Sequence, residues 1–327
     1  MLKYDRNQVG ACFLTICIFA SLYMKALKIS PLWAGVALAL LAVIIWSGNY
    51  VIARGIKDQI SPGSLAFFRW STATILFLPF AWKPVRANLK EIKQSLGYLT
   101  ITAFLGVTVF NTLLYVGAHF TSAINLALIS TTLTPVFVIL LARWILRESL
   151  DRPKIIGMIL CVMGVLYLLW RASNGNIQFT AGDGWIVLSS LSFAFYNILV
   201  KRKPKAISPV AFLWTVFALG AIMLVPYFLY EHYYLPAIKW DQNLMFIILY
   251  LGVGTSIISF LCWNKAIQYL GAGRTALFGN LIPVFSIMEA ALLLGEQFGW
   301  MHAISMIIIF CGILVANWRL FFPARKM

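Results

Sequence analysis

Two formal charges, Arg69 and Glu289, stand inside long apolar runs of this 327-residue chain. A charge in hydrocarbon costs at least about 2.5 kcal/mol, so each must face a cavity, a polar partner or the other charge. Arg69 lies five residues past Ser64, and Glu289 lies six residues before Gly295. At the rise of a helix, both sit roughly 8 to 9 Å below the same membrane boundary. The chemistry open to them is an ion pair between helices, recognition of a charged solute, or binding of a coupling proton.

Polar and aromatic side chains recur near them at helical spacing. Trp46, Asn49 and Tyr50 share a helix face at i, i+3, i+4; so do Asn111 with Tyr115, and Ser256, Ser259 and Trp263. Thr131, Thr134, Tyr196, Asn197 and Asn280 add polar groups to other apolar runs. Such faces suit a solute with an amino or carboxylate group and an apolar or aromatic body, held by neutral hydrogen bonds and stacking. Hydroxyls at these places also bond back to their own helix, and Tyr50, Tyr115 and Trp263 also fit an interfacial aromatic belt. Pro135 and Pro283 each free a carbonyl one turn earlier and are candidates for hinges or plain kinks. Paired carboxylates and clustered histidines are missing, since His119, His232 and His302 lie far apart in sequence. An enzyme, a metal site and a cofactor are therefore unsupported. The five cysteines stand singly in apolar stretches, which argues against zinc or a disulfide framework.

The elements that must carry these side chains follow from composition. With 61% hydrophobic residues, 11% charged residues and a mean hydropathy of +0.87, the chain reads as an all-α polytopic membrane protein. Ten apolar runs follow residue 31, from Leu32–Ala53 to Met301–Trp318, each near the about 20 residues that a span needs. The formal charge of +16 is scattered over short connectors and leaves no patch able to track nucleic acid. Nineteen Lys and Arg fall just before the first run, in the even-numbered connectors and in the tail, against four in the alternate connectors. Both ends of the ten-helix unit are therefore expected in the cytoplasm, with the chain in the inner (cell) membrane and residues 320–327 as a cytoplasmic tail. Residues 1–31 hold the shorter run Val9–Met24, open to reading as an eleventh helix, an interfacial helix, a signal peptide or an upstream extension ending at Met24.

The runs repeat. Thr134-Pro135-Val136-Phe137 leading to Arg147-Glu148 is echoed by Ile282-Pro283-Val284-Phe285 leading to Gly295-Glu296, and Pro to Glu is 13 positions in both. At a shift of 147, Ser61-Pro62 falls on Ser208-Pro209 and Pro79 on Pro226; at 148, Gly164 falls on Gly312 and Trp170 on Trp318. The units are 32–171 and 183–319, five helices each. Five is odd, so the second unit must enter the membrane inverted, the architecture of secondary transporters with a site between the halves. Arg69 falls on Val216, so an arginine-based role cannot be symmetric.

These residues resemble the drug/metabolite transporter superfamily in its ten-helix, EamA-type branch. The resemblance is carried by the doubled Pro-Val-Phe to Gly/Arg-Glu helix, the Gly-containing helix after it, Trp46-Ser47-Gly48-Asn49-Tyr50 and Phe67-Phe68-Arg69. It implies a carrier that exports amino acids or similar small metabolites, with a multidrug or nucleotide-sugar carrier as the alternative. A receptor or structural membrane protein is the alternative from another class. The partners expected are a small-molecule substrate and the lipid bilayer, with protons as candidate coupling ion; monomer and homodimer both stay open.

Overall fold

The structure, a computed structural model, describes residues 30–56, 59–120, 123–172, 181–294 and 299–318. The segment 1–29, the tail 320–327, Glu296 and the side chain of Tyr50 lie outside the described residues. The described chain is helical, without a strand, and six of its helices are long and apolar enough to cross a membrane. In chain order the helices are α1 (Pro31–Gly55), α2 (Pro62–Ala87), α3 (Leu96–Phe120), α4 (Ala123–Ile145), α5 (Arg152–Ala172), α6 (Ala181–Lys201), α7 (Pro209–Tyr234) and α8 (Gln242–Leu270), the six being α1, α2, α3, α6, α7 and α8. Next comes α9, built from Ala272–Leu277, a 3-10 turn Phe278–Leu281 and Ile282–Leu294, and then α10 (Trp300–Ala316). A short helix, Leu89–Gln94, joins α2 to α3.

Local sequence sets the helix starts. Ser30-Pro31, Ser61-Pro62 and Ser208-Pro209 each place an extended serine before a proline at the first helical position, where the missing N–H costs nothing. Ser30 and Ser208 accept from the backbone N–H three residues on. At Ser61 the cap comes instead from Glu231 at the far end of α7. Its buried carboxylate accepts from Gly63 N (3.0 Å), Ser64 N (2.8 Å) and the Ser61 hydroxyl (2.6 Å). The gesture is returned at the other end, where Asn88 after α2 accepts from Ser208 N at 3.0 Å and donates to Ala206 O at 3.1 Å. The helices α2 and α7 thus cap each other's first turns.

Packing partners also come in exchanging pairs. The helix α3 packs on α6 as α8 packs on α1, and α4 packs on α6 as α9 packs on α1, while α2 meets α7 and α5 meets α10. Close approach at α5–α10 depends on glycine: a Cβ at Gly157 would stand 2.4 Å from the Gly312 carbonyl oxygen. Two helices widen to π-helix, α3 over Phe104–Val109 and α8 over Leu251–Ile258, and the widened segments begin 147 residues apart. Outward faces are apolar, with Ile75, Ile101, Ile222, Met245 and Ile307 among the exposed side chains. Exposed Trp82, Trp144, Trp185, Tyr233 and Trp300 stand near helix ends, where aromatic belts lie. Tyr115 and Trp263, read as possible belt residues, are instead buried.

The end rich in Lys and Arg is tied by its basic side chains. Arg202 Nη2 donates to Ile145 O at the end of α4 (2.6 Å), and Lys201 Nζ donates to Ile267 O and Gln268 O at the end of α8. Cations on the last carbonyls of a helix satisfy orphan acceptors and the dipole together. Arg147 takes a left-handed φ of 55°, and the Glu148 N–H reaches back to Ala142 O, which turns Glu148 onto α9. There Glu148 accepts from Ala272 N at 3.1 Å and pairs with Lys154 at 3.6 Å.

Replacing Glu231 by Ala leaves two buried N–H groups of α2 without an acceptor, a loss of about 2 kcal/mol for charged hydrogen bonds. Thermal unfolding of the detergent-purified chain is expected to show a clearly lowered midpoint for Glu231→Ala and a smaller loss for Glu231→Gln. An unchanged midpoint in both would assign the cap to Ser61 alone.

Candidate functional site

Arg69 is the centre of the interior polar cluster. Its side chain is 2% exposed, on the face of α2 turned toward α3 and α8. Nε donates to Ser256 Oγ at 2.8 Å; Nη1 donates to Asn111 Oδ1 at 3.1 Å and to the Tyr115 hydroxyl at 2.9 Å. Nη2 donates to Thr255 O at 3.4 Å, and Cζ stands 4.9 Å from the centroid of the Trp70 ring. Three of the four partners come from or just beyond the π-helical segments: Thr255 and Ser256 lie in the segment of α8, and Asn111 follows that of α3. Widening changes which carbonyls are spent within the helix, and Thr255 O accepts from Trp46 Nε1 (2.8 Å) as well as from Arg69.

Every one of these partners is neutral. Among the described residues the guanidinium has no carboxylate within 4.0 Å. The ion pair of Arg69 with Glu289 allowed by their common depth is therefore not made. Depth along a helix does not fix direction around it, and Glu289 turns to α1, with Oε1 2.6 Å from Ser47 Oγ.

Arg69 opens on a cavity of about 60 Å³, enough for a few waters. Its polar wall is Asn49, Arg69, Asn111, Ser130, Thr131 and Thr134; its aromatic wall is Trp46, Phe110, Phe193, Phe260 and Trp263. Leu114, Pro135, Ala276, Gly279 and Ile282 complete the lining, so α4 and the broken helix α9, which pack on each other, both contribute to it. The aromatic wall is built by edge contacts of Trp46 with Phe193 and Phe260 at 5.9 and 5.5 Å and by stacking of Phe110 on Phe193 at 4.4 Å. Asn49 is buried, and its Oδ1 has no hydrogen-bond partner among the described residues.

Of the side chains singled out from sequence, Trp46, Asn49, Asn111, Thr131, Thr134, Trp263, Arg69 and Pro135 line this cavity. Tyr115 touches Arg69 from behind. Tyr196 and Asn197 stand one layer back: the Tyr196 hydroxyl donates to Asn264 Oδ1 at 2.9 Å, and Asn197 Oδ1 accepts from Trp263 Nε1 at 2.7 Å. Tyr196 packs against backbone at Gly106, where a Cβ would come within 2.1 Å of its ring. Ser259 bonds back to Gly254 O, a five-residue step set by the π-helix, and is not among the cavity-lining residues. Asn280 sits in the 3-10 turn and donates to Leu277 O, away from the cavity. Pro135 lies within a continuous α4, whereas Pro283 is in the first turn of a new helical segment, where it interrupts nothing. Phe110, Phe193 and Phe260 escaped the sequence reading because an apolar ring turned inward has the same signature as one turned to lipid.

Comparison with known proteins agrees with this architecture. The model of the EamA-like transporter family matches twice, over residues 33–170 and 180–318. The chain is 27% identical to transporter YyaM of Bacillus subtilis over 285 residues, 85% of this chain and 92% of that one. It is 25% identical to a probable amino-acid metabolite efflux pump of Salmonella typhimurium, covering 85% of this chain and 93% of that one. A similarly named pump of Escherichia coli is 24% identical, with 86% and 95% covered. One solved crystal structure superposes with a TM-score of 0.70 at 15% identity over 87% of this chain and 96% of that one, a likeness of fold alone. The chain belongs to the EamA-like transporter family and is a multi-pass membrane transporter, not an enzyme.

Proposed function

We propose that the chain exports amino acids or related small metabolites by alternating access between two inverted five-helix halves, 32–171 and 183–319, with its C-terminus in the cytoplasm. The exchanging helix pairs, the two π-helical segments 147 residues apart and the doubled family match support the repeat. The relatives named as amino-acid metabolite efflux pumps support the substrate class. Charge counting places the Lys- and Arg-rich end in the cytoplasm, and the ties of Arg202, Lys201 and Glu148 there are the contacts that must break for the cavity to open inward.

The observation that carries the substrate reading is the buried, cavity-facing Arg69 with only neutral partners. Its charge favours a carboxylate as the incoming ligand, bound by hydrogen bonds that water no longer contests. The unpartnered Asn49 Oδ1 offers an acceptor for an amino group, and the aromatic wall takes an apolar or aromatic side chain. Asn111 and Tyr115 orient the guanidinium. A nucleotide sugar brings a diphosphate, and Arg69 is the one cation among the described lining residues, which favours a single carboxylate over that class. Pro135 and the break before Pro283 supply bending points in the cavity-lining helices α4 and α9.

Proteoliposomes loaded with radiolabelled amino acids test this reading. Wild-type flux of one or more amino acids is expected, with Arg69→Gln lowering it at least about tenfold, the equivalent of one charged hydrogen bond of roughly 1.5 to 3 kcal/mol. Asn111→Ala is expected to give a lesser loss. No flux for any amino acid would reject the substrate class, and full flux in Arg69→Gln would reject the recognition role.

A further inference from the structure

Glu289 on α9 faces α1, where one hydroxyl has too many neighbours. Ser47 Oγ stands 2.5 Å from the Ile44 carbonyl oxygen and 2.6 Å from Glu289 Oε1, both full hydrogen-bond distances for oxygen pairs. A serine hydroxyl carries one hydrogen, and neither a carbonyl nor an ionised carboxylate can donate. With the carboxylate ionised, one of the two contacts would be an unbridged approach of lone pairs at 2.5 or 2.6 Å. Both contacts are satisfied when Ser47 donates to Ile44 O and a protonated Glu289 donates to Ser47 Oγ.

The surroundings fit a neutral acid. Across from Glu289, α1 presents Ser47 and Gly48, with Glu289 Oε2 3.6 Å from where a Cβ of residue 48 would stand. From α8 comes Tyr250, whose hydroxyl donates to Ile45 O at 2.7 Å and so offers no proton to the carboxyl. Arg69 of α2 makes its bonds elsewhere. The other packed helices carry Arg143, in the last turn of α4, and His302 of α10, whose side chain lies outside the described residues. A second tie, from Ser286 Oγ to Ser47 O at 3.0 Å, holds α9 on α1 at the same level.

We propose that Glu289, seated on Ser47, is a proton-binding site that is loaded while α1 and α9 are in contact. Parting of α1 and α9 takes away the Ser47 acceptor and lets water reach the carboxyl; Glu289 then releases one proton to water and becomes a carboxylate. The reverse step takes one proton from water. An ionised Glu289 is the nearby anion that competes with a substrate carboxylate for Arg69, whereas the neutral acid leaves Arg69 to the substrate. Because proton and substrate then favour each other's binding, that competition makes the site a coupling site for proton–substrate cotransport; this coupling rests on the transport reading above, and the protonation itself does not.

Infrared difference spectroscopy of the full chain in lipid nanodiscs at neutral pH tests the protonation. Wild type minus Glu289→Gln is expected to show a carboxylic acid C=O band. Wild type minus Ser47→Ala is expected to show that band shifted by loss of its acceptor, which keeps the test valid if the first variant fails to fold. Carboxylate bands in the first difference, or no carboxyl change in the second, overturn the site. In proteoliposomes with labelled amino acids, a pH gradient that speeds wild-type flux several-fold should give no acceleration in Glu289→Gln. Equal acceleration overturns the coupling, whereas no wild-type flux at all counts against the transport reading and leaves the infrared result to judge the site.

Discussion

A guanidinium inside a membrane protein loses its water, and the interior of this one is arranged to replace that water around Arg69. Four donated hydrogen bonds, from three of its nitrogens to two hydroxyls, an amide and a backbone carbonyl, do the replacing. None of the acceptors is charged, so solvation is supplied without neutralisation. A buried pair with a carboxylate would have been costly to desolvate and would have cancelled the field that an anion could use. The arrangement leaves one positive charge pointing at a cavity, which is the electrostatic condition for selecting an anionic group.

That arrangement depends on helix geometry more than on the residues alone. Thr255 and Ser256 reach Arg69 from a π-helical stretch of α8, and Asn111 reaches it from just past the corresponding stretch of α3. Around this core the paired helices α2 and α7 are capped at both ends by each other's side chains, Glu231 at one and Asn88 at the other. A pair fixed at both ends suits the stationary part of the proposed cycle, and the ties of α4 to α6 and α9 at the Lys- and Arg-rich end suit the moving part. Such a division follows the usual logic of inverted-repeat carriers, in which one bundle rocks against another around a central site.

Much of this was legible in the sequence because cost leaves a trace there. Arg69, Asn49, Asn111, Thr131 and Thr134 stand out as polar groups where lipid would punish them, and the cavity claims all five. The spacing of Ser61-Pro62 and Ser208-Pro209 marked the repeat, although the way these two helix starts are capped was hidden behind the plain signature of a connector. Three features left no such trace. The π-helical turns shift the periodicity by which faces are counted, and Ser259 bonds back to Gly254 O without lining the cavity. The inward phenylalanines Phe110, Phe193 and Phe260 are indistinguishable from lipid-facing ones in a chain this apolar. The direction of Glu289 around α9 could not be read from its depth, and the cap made by Glu231 joins residues 167 or more positions apart in the chain.

The central claim is that a single buried positive charge selects a carboxylate. Competition against labelled amino-acid flux in proteoliposomes by phenylalanine and by phenylalaninamide isolates it, because the two share ring and amino group and differ at the carboxyl. The acid is predicted to compete at least about tenfold better than the amide, the ratio that corresponds to about 1.4 kcal/mol. Equal competition by the two would contradict the account.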